Sequence, residues 1–255
     1  MEQPPGFEEP GKETWVMKLM KSIYGMKQAS RIWNQTFHKT ITLLGFEQLP
    51  CDWCIYRRQT DSGTSIFAVH VDDILIASST PVENSRFKDE LWTKWEISNL
   101  GSVKYTLGIA ISRDRPNHTI KLSQTALIDR IVNQFGQTDA HPVETPMVPG
   151  LQILHPDTSL PVAEYVSAWI DCTPYRSLIG SLNYLAVATC PNISYAVGCL
   201  ISVLDYYRPE HWDAAIRVVH YLKGTRLLTL DLGGENPIHA LGYSDSDYNN
   251  CPDMS

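Results

Sequence analysis

Asp72 and Asp73 stand side by side between two strand-like apolar runs, Ser65 to His70 and Ile74 to Ser78. At the tip of a tight hairpin two adjacent acids repel each other, an arrangement tolerated where solvent or a divalent cation screens the charge. Hard carboxylate oxygens of this kind suit Mg²⁺ or Mn²⁺. The chemistry they would serve is phosphoryl transfer. Two metal ions about 4 Å apart activate an attacking hydroxyl and steady the leaving group, and carboxylates from more than one strand hold them. Aspartate is equally a common turn former, and an isolated Asp-Asp pair is more often only a turn. The surrounding sequence has to decide between these readings.

The elements that would position the pair form a mixed pattern. Ile32, Trp33, Phe37, Ile41 and Leu44 make one apolar stripe, which predicts a helix from Ser30 to Leu44 with Gly45 as its stop. Short β-branched or aromatic runs follow at Cys54 to Arg58, Ser65 to His70 and Ile74 to Ser78, with Asp61-Ser62-Gly63 as a turn. A polar helix is expected over Glu83 to Trp95, then a strand pair, Lys104 to Ser112 and His118 to Leu122, turning at Arg115-Pro116-Asn117. Ser123 opens a helix carrying Leu127, Ile131 and Phe135 at helical spacing, and Gly136 closes it. Residues 142–174 hold Pro146, Pro149, Pro156 and Pro161 with little periodicity, the best linker candidate. Beyond it, Pro174 suits a first helical turn ahead of the stripe Leu178, Leu182 and Leu185. Ile193 to Leu204 is apolar nearly all round and is expected to be buried. Trp212 to Leu222 is amphipathic and should stop at Gly224, with strands at Leu227 to Leu232 and Ala240 to Ser244.

The 255 residues, 43% of them hydrophobic, are enough for one large domain or two smaller ones. No run approaches the ~20 apolar residues of a membrane span, and the acidic, Pro-rich start does not resemble a signal peptide. Six scattered cysteines suit a reducing, intracellular compartment. A net charge of −7 argues against a generic nucleic-acid binder, but the charge is unevenly distributed. Between Glu13 and Glu47 there is no acid, while Lys18, Lys21, Lys27, Arg31 and Lys39 alternate with Trp15, Tyr24, Trp33 and Phe37. Such a segment can meet phosphates with its cations and bases with its rings, or be a solvated helix face with its aromatics in the core.

His70-Val-Asp-Asp73 followed by Ile-Leu-Ile-Ala resembles the Tyr-Val-Asp-Asp hairpin of retroelement reverse transcriptases. Lys21-Ser-Ile-Tyr-Gly-Met-Lys-Gln-Ala-Ser-Arg-Ile-Trp33 is similar to the Leu-Tyr-Gly-Leu-Lys-Gln-Ala-Pro-Arg-x-Trp segment of the copia (Ty1) class, and Cys51-Asp-Trp-Cys-Ile-Tyr56 to its Ser-Asp-Pro-Cys-Leu-Tyr strand. Leu107-Gly-Ile109, Leu122-Ser-Gln124, Thr145-Pro-Met147, the run Tyr175 to Leu185, Tyr221 to Thr225 and Gly242 to Asp247 follow in that family's order, so the resemblance covers nearly the whole chain. His70, Ser30 and Cys190-Pro-Asn192 depart from the usual Tyr, Pro and Arg-Pro-Asp.

The resemblance implies an α+β fold: a truncated polymerase palm with an antiparallel sheet and packed helices, then a mainly helical connection region and the first strands of an RNase H-like domain. It implies fingers and palm over 1–112, a thumb-like region over 113–141, a linker over 142–174, the connection over 175–239 and an RNase H-like stub over 240–255. It makes Asp72 and Asp73 catalytic, metal-binding carboxylates for Mg²⁺ (or Mn²⁺) and sets Gln28, Lys27 and Arg31 near nucleotide and template. Leu107, Gly108 and Ile109 would lie by the primer, and Asp245 at the start of the RNase H-like stub. The partners implied are an RNA or DNA template-primer and deoxynucleotides, in a cytoplasmic particle or the nucleus, with no membrane. A third carboxylate is expected on a strand preceding the segment that matches Met1 to Phe7, so this chain alone is expected not to polymerise. The alternative is a non-catalytic retrotransposon remnant that retains nucleic-acid binding through Lys18 to Lys39.

Weaker signals point elsewhere. Cys51-x-x-Cys54 has no second pair at zinc-ribbon spacing. Trp212 and His211 near His220 could suggest a metal site, but His220 is better read as packed or exposed on an amphipathic helix. No Gly-rich phosphate loop of the Walker or Rossmann kind is present.

Overall fold

Gly45 adopts φ +83°, which any other residue reaches only with strain, and so ends the first helix sharply. The Phe46 N–H donates to the Ile41 carbonyl (3.2 Å) and the Gly45 N–H to that of Thr42 (3.0 Å), a Schellman closure that turns the chain into a sheet. The computed structural model describes residues 1–23, 25–154, 169–170 and 172–234. It divides into two compact units, Met1–Gly101 and Ser102–Ser255.

In the first unit, helix α1 (Ala29–Leu43) precedes strands β1 (Glu47–Leu49), β2 (Asp52–Thr60), β3 (Gly63–His70) and β4 (Asp73–Ser78), and helix α2 (Pro81–Trp92) follows. The strands form an antiparallel sheet in the order β1-β2-β3-β4, so β4 is an edge. Phe37 and Ile41 of α1, Phe46 of the link that follows it, Tyr56, Phe67 and Val69 of the sheet, and Phe87 and Leu91 of α2 form one core. The predicted stripe on α1 is buried only in its second half: Ile32 and Trp33 remain exposed. Helix α2 begins before the expected Glu83, because the Thr80 hydroxyl accepts the Glu83 N–H and Pro81 fills the first turn. It also ends at Trp92, short of the expected Trp95.

Arg58 lies inside this core. Its guanidinium donates to Glu83 at 2.8 Å, to Glu90 at 2.6 Å and to the Leu44 carbonyl at 2.9 Å, and sits 4.4 Å from the Phe46 ring centroid. Ser62 and Thr60 hydroxyls donate to the other Glu83 oxygen.

In the second unit the expected strand Lys104 to Ser112 is two strands, β5 (Tyr105–Thr106) and β6 (Ile109–Asp114), because Leu107 (φ 49°) and Gly108 (φ 75°) fold back into a two-residue turn. Strands β7 (Thr119–Ser123) and β8 (Leu230–Gly233) complete an antiparallel sheet in the order β5-β6-β7-β8. Helices α3 (Thr125–Gln134), α4 (Tyr175–Ala188), α5 (Ser194–Ser202) and α6 (Pro209–Thr225), with a 3₁₀ turn at Pro191–Ile193, share one core, which includes Ile131, Leu178, Leu182, Leu200 and Val218. The segment expected to be buried all round is not: Ala196, Val197, Leu200 and Val203 face the core, while Tyr195 and Gly198 are exposed. Apolar composition does not define a face where the outer positions are small or amphipathic. Gly224 lies inside α6 rather than beyond it, and a Cβ there would meet the Pro142 side chain at 3.0 Å. The expected strand Ala240 to Ser244 and Asp245 lie outside the described residues.

No helix among the described residues is long and apolar enough to cross a membrane. Gly233 (φ +93°) closes the β7–β8 pairing, and a Cβ there would sit 2.1 Å from the His118 carbonyl oxygen. Gly233→Ala is therefore expected to cost more than the ~1–2 kcal/mol of a left-handed residue and to loosen β8, read as faster amide exchange at Ile120 and Leu122, which pair with β8.

Candidate functional site

The β3–β4 register pairs Val69 with Ile74 and His70 with Asp73, leaving Val71 and Asp72 as a two-residue loop. Val71 has φ 57° and Asp72 does not share the left-handed conformation. This is the pattern of a type II′ hairpin, whose first central position usually holds glycine. A β-branched residue there costs about 1–2 kcal/mol, and the structure around it must hold it.

Both carboxylates are exposed and neither makes a hydrogen bond or ion pair among the described residues. Asp73 opposes His70 on the face of the sheet away from the core, next to the pairs Ala68–Leu75 and Ile66–Ala77, while Phe67 and Val69 point inward. Two adjacent carboxylates that are exposed and free of other partners are the donor set a hard divalent cation takes, so the pair fits as part of a Mg²⁺ or Mn²⁺ site. Among the described residues no group of three or more His, Cys, Asp or Glu is placed to hold a metal.

The N-terminus of α1 belongs to the same unit. Gln28 is its N-cap residue with no side-chain cap bond, the first turn contains no acid, and Lys27, Gln28 and Arg31 are all exposed. Unpaired amides and two cations give this end a positive field. Trp33, one turn further on, donates its indole N–H to the Val71 carbonyl at 3.1 Å. The structure thus ties α1 to the aspartate turn through a residue that the sequence offered either as a base-stacking ring or as part of the core.

Of the basic segment, Lys18, Lys21, Lys27, Arg31 and Lys39 are exposed, as is Trp15, whereas Phe37 is in the core. Leu107, Gly108 and Ile109 lie in the second unit at the β5–β6 turn, with Leu107 exposed, and the Tyr184 hydroxyl of α4 donates to the Leu107 carbonyl. Cys51 and Cys54 are free and exposed. His220 bonds Gln137 at 2.8 Å, and its pKa is held below the usual imidazole range, first by burial and then by Lys223 and Arg217. His211 accepts the Arg208 N–H at the start of α6. Both histidines have structural contacts, and for His220 this favours the packed reading over the exposed one.

Residues 1–149 match the reverse transcriptase (RNA-dependent DNA polymerase) family. The chain is 35% identical over 97% of its length to the retrovirus-related Pol polyprotein from transposon TNT 1-94 of Nicotiana tabacum, and covers 18% of that protein. It is 33% identical over 97% of its length to the corresponding polyprotein from transposon RE1 of Arabidopsis thaliana, covering 16% of it. It is 31% identical over its whole length to a putative transposon Ty5-1 protein of Saccharomyces cerevisiae, of which it covers 80%. The chain therefore spans less than a fifth of the two plant polyproteins. No solved structure matches it.

Proposed function

The chain belongs to the reverse transcriptase region of Ty1/copia-type retrotransposon Pol polyproteins, and from that premise we propose that its β3–β4 turn carries two of the metal-binding carboxylates of an RNA-directed DNA polymerase. The observation that carries this reading is the exposed, unpartnered pair Asp72 and Asp73 on a turn tied to the cationic end of α1. Bound Mg²⁺ or Mn²⁺ would supply the charge that activates a primer 3′-hydroxyl and steadies pyrophosphate in the longer polyprotein. Asp72 is the principal ligand and Asp73 its supporting partner. Gln28, Lys27 and Arg31 lie by nucleotide and template, where exposed cations meet phosphates. Leu107, Gly108 and Ile109 lie by the primer, where the left-handed Gly108 lets a backbone approach closely. In the longer polyprotein residues 1–112 belong to the fingers and palm, 113–141 to a thumb-like region, 142–174 to a linker, 175–239 to the connection, and Asp245 to an RNase H-like domain.

Two-metal transfer draws carboxylates from more than one strand, and here the turn supplies two adjacent ones. The chain alone is therefore expected not to extend a primer. Primer extension on an RNA template with Mg²⁺ tests this against D72N: equal background is expected, and extension lost only in the variant would overturn the inactivity of the chain. In the longer polyprotein, extension that survives D72N would overturn the assignment of Asp72. Mn²⁺ titration of this chain, followed by water-proton relaxation, should show affinity that D72N lowers at least about fivefold. Unchanged affinity would remove the metal role of the turn.

The five exposed cations from Lys18 to Lys39 favour a second reading, in which the chain binds nucleic acid without catalysis. If all five meet phosphates, affinity for a primer-template duplex should fall with salt with a log-log slope of about −4.5. A slope near zero would exclude the electrostatic interaction.

A further inference from the structure

Among the described residues three that are not glycine have positive φ: Val71, Leu107 and His118. The first two are the leading residues of two-residue hairpin turns, and each offers its carbonyl to an aromatic side chain from a helix, Val71 to Trp33 and Leu107 to Tyr184. Both turns contain residues proposed to act at the polymerase site, and neither aromatic is among the metal, nucleotide or primer residues assigned there.

Trp33 is anchored at its other face. Its ring lies 5.6 Å from Phe37 and 6.1 Å from Trp95, centroid to centroid, and Phe37 stacks on Trp95 at 5.4 Å. The indole is therefore a fixed donor, held by the core and aimed at the first carbonyl of the turn. That bond opposes the tendency of Val71 to leave its left-handed well, which would swing the adjacent Asp72 and change how its carboxylate stands beside that of Asp73.

We infer that Trp33 is a positioning residue for the aspartate turn: its indole N–H holds Val71 left-handed and thereby presents Asp72 and Asp73 together to a divalent cation. The presentation of the pair to metal rests on the polymerase reading, but the hold on the turn does not. Trp33 touches no reacting group in this scheme and acts through Val71.

The test removes the donor and keeps the ring. Trp33 is replaced by benzothienylalanine, which has sulfur in place of the indole N–H, and in parallel by phenylalanine. Amide exchange at Asp73, which pairs with His70 across the turn, should accelerate about fivefold in both, the size expected for loss of one hydrogen bond. Mn²⁺ affinity by water-proton relaxation should weaken by a similar factor in the isostere, while its thermal midpoint stays within about 2 °C of wild type. A lower midpoint with unchanged Asp73 exchange and unchanged Mn²⁺ affinity would make Trp33 a packing residue and overturn the inference. So would an isostere that matches wild type throughout. D72N separates the two proposals. If it leaves Mn²⁺ affinity intact, the metal reading fails, and Asp73 exchange in the isostere still decides whether Trp33 holds the turn.

Discussion

Replacing Arg58 with methionine is expected to destabilise the first unit by about 3–5 kcal/mol, because it removes the buried cation that bonds Glu83 and Glu90 and leaves Glu83 only the half-exposed Arg86 at 4.0 Å. The Arg58 and Glu83 side chains are 4% and 0% exposed, so solvent cannot take over the charge. The serine and threonine donors to Glu83 remain and soften the loss, while the contact over Phe46 is largely kept by the methionine stem. The double variant R58M/E83Q should recover part of the stability, since it removes the charge rather than stranding it. Urea unfolding followed at β2 and β3 amides reads both; a single variant within 1 kcal/mol of wild type would show that the pair contributes little.

The same network sets an acid limb. Glu83 is held below its ordinary value of 4.5 first by the Ser62 hydroxyl and then by Arg58 and Thr60, against the opposing effect of burial. The unfolded chain therefore takes up a proton at Glu83 before the folded chain does. Stability from this group is complete above pH 4.5 and is lost as pH falls through and below that value. E83Q should flatten this part of the stability-against-pH curve, and an unchanged acid limb would assign it to other carboxylates.

Phe37→Ala is the second large effect, about 3–5 kcal/mol. Phe37 is 1% exposed and its ring meets Tyr56, Phe67, Trp33 and Trp95, so its removal opens a cavity between α1 and the sheet. It also withdraws the support behind Trp33. Calorimetry should show the loss, and Asp73 amide exchange should accelerate beyond what the isosteric replacement of Trp33 produces. A destabilised F37A protein with native Asp73 exchange would separate the core from the turn.

Much of the first unit was legible because its signals are local. Gly45 has to leave the helical region, and the alternation in β3 and β4 shows which side chains share a face. Helix α2 was misplaced by two residues because Thr80-Pro81 starts it, a capping signal weaker to the eye than the later charge pattern. The strand break at Leu107 was missed for a different reason. Leucine carries no mark of a left-handed residue, and only the pairing of Thr106 with Ile109 requires one.

The order and spacing of the motifs determined the family without any coordinates, and adjacent aspartates between apolar runs were enough to place a hairpin, because charge, alternation and turn chemistry are properties of neighbours in the chain. Which groups meet across the chain was decided by the tertiary structure alone. Strand β8 pairs with β7 more than a hundred residues earlier, Arg58 meets Glu83 inside a core, and Trp33 reaches Val71 across 38 positions. Periodicity records which face of an element is apolar. It does not record where a single polar atom on that face finds its partner, since that depends on how α1 and the sheet pack together.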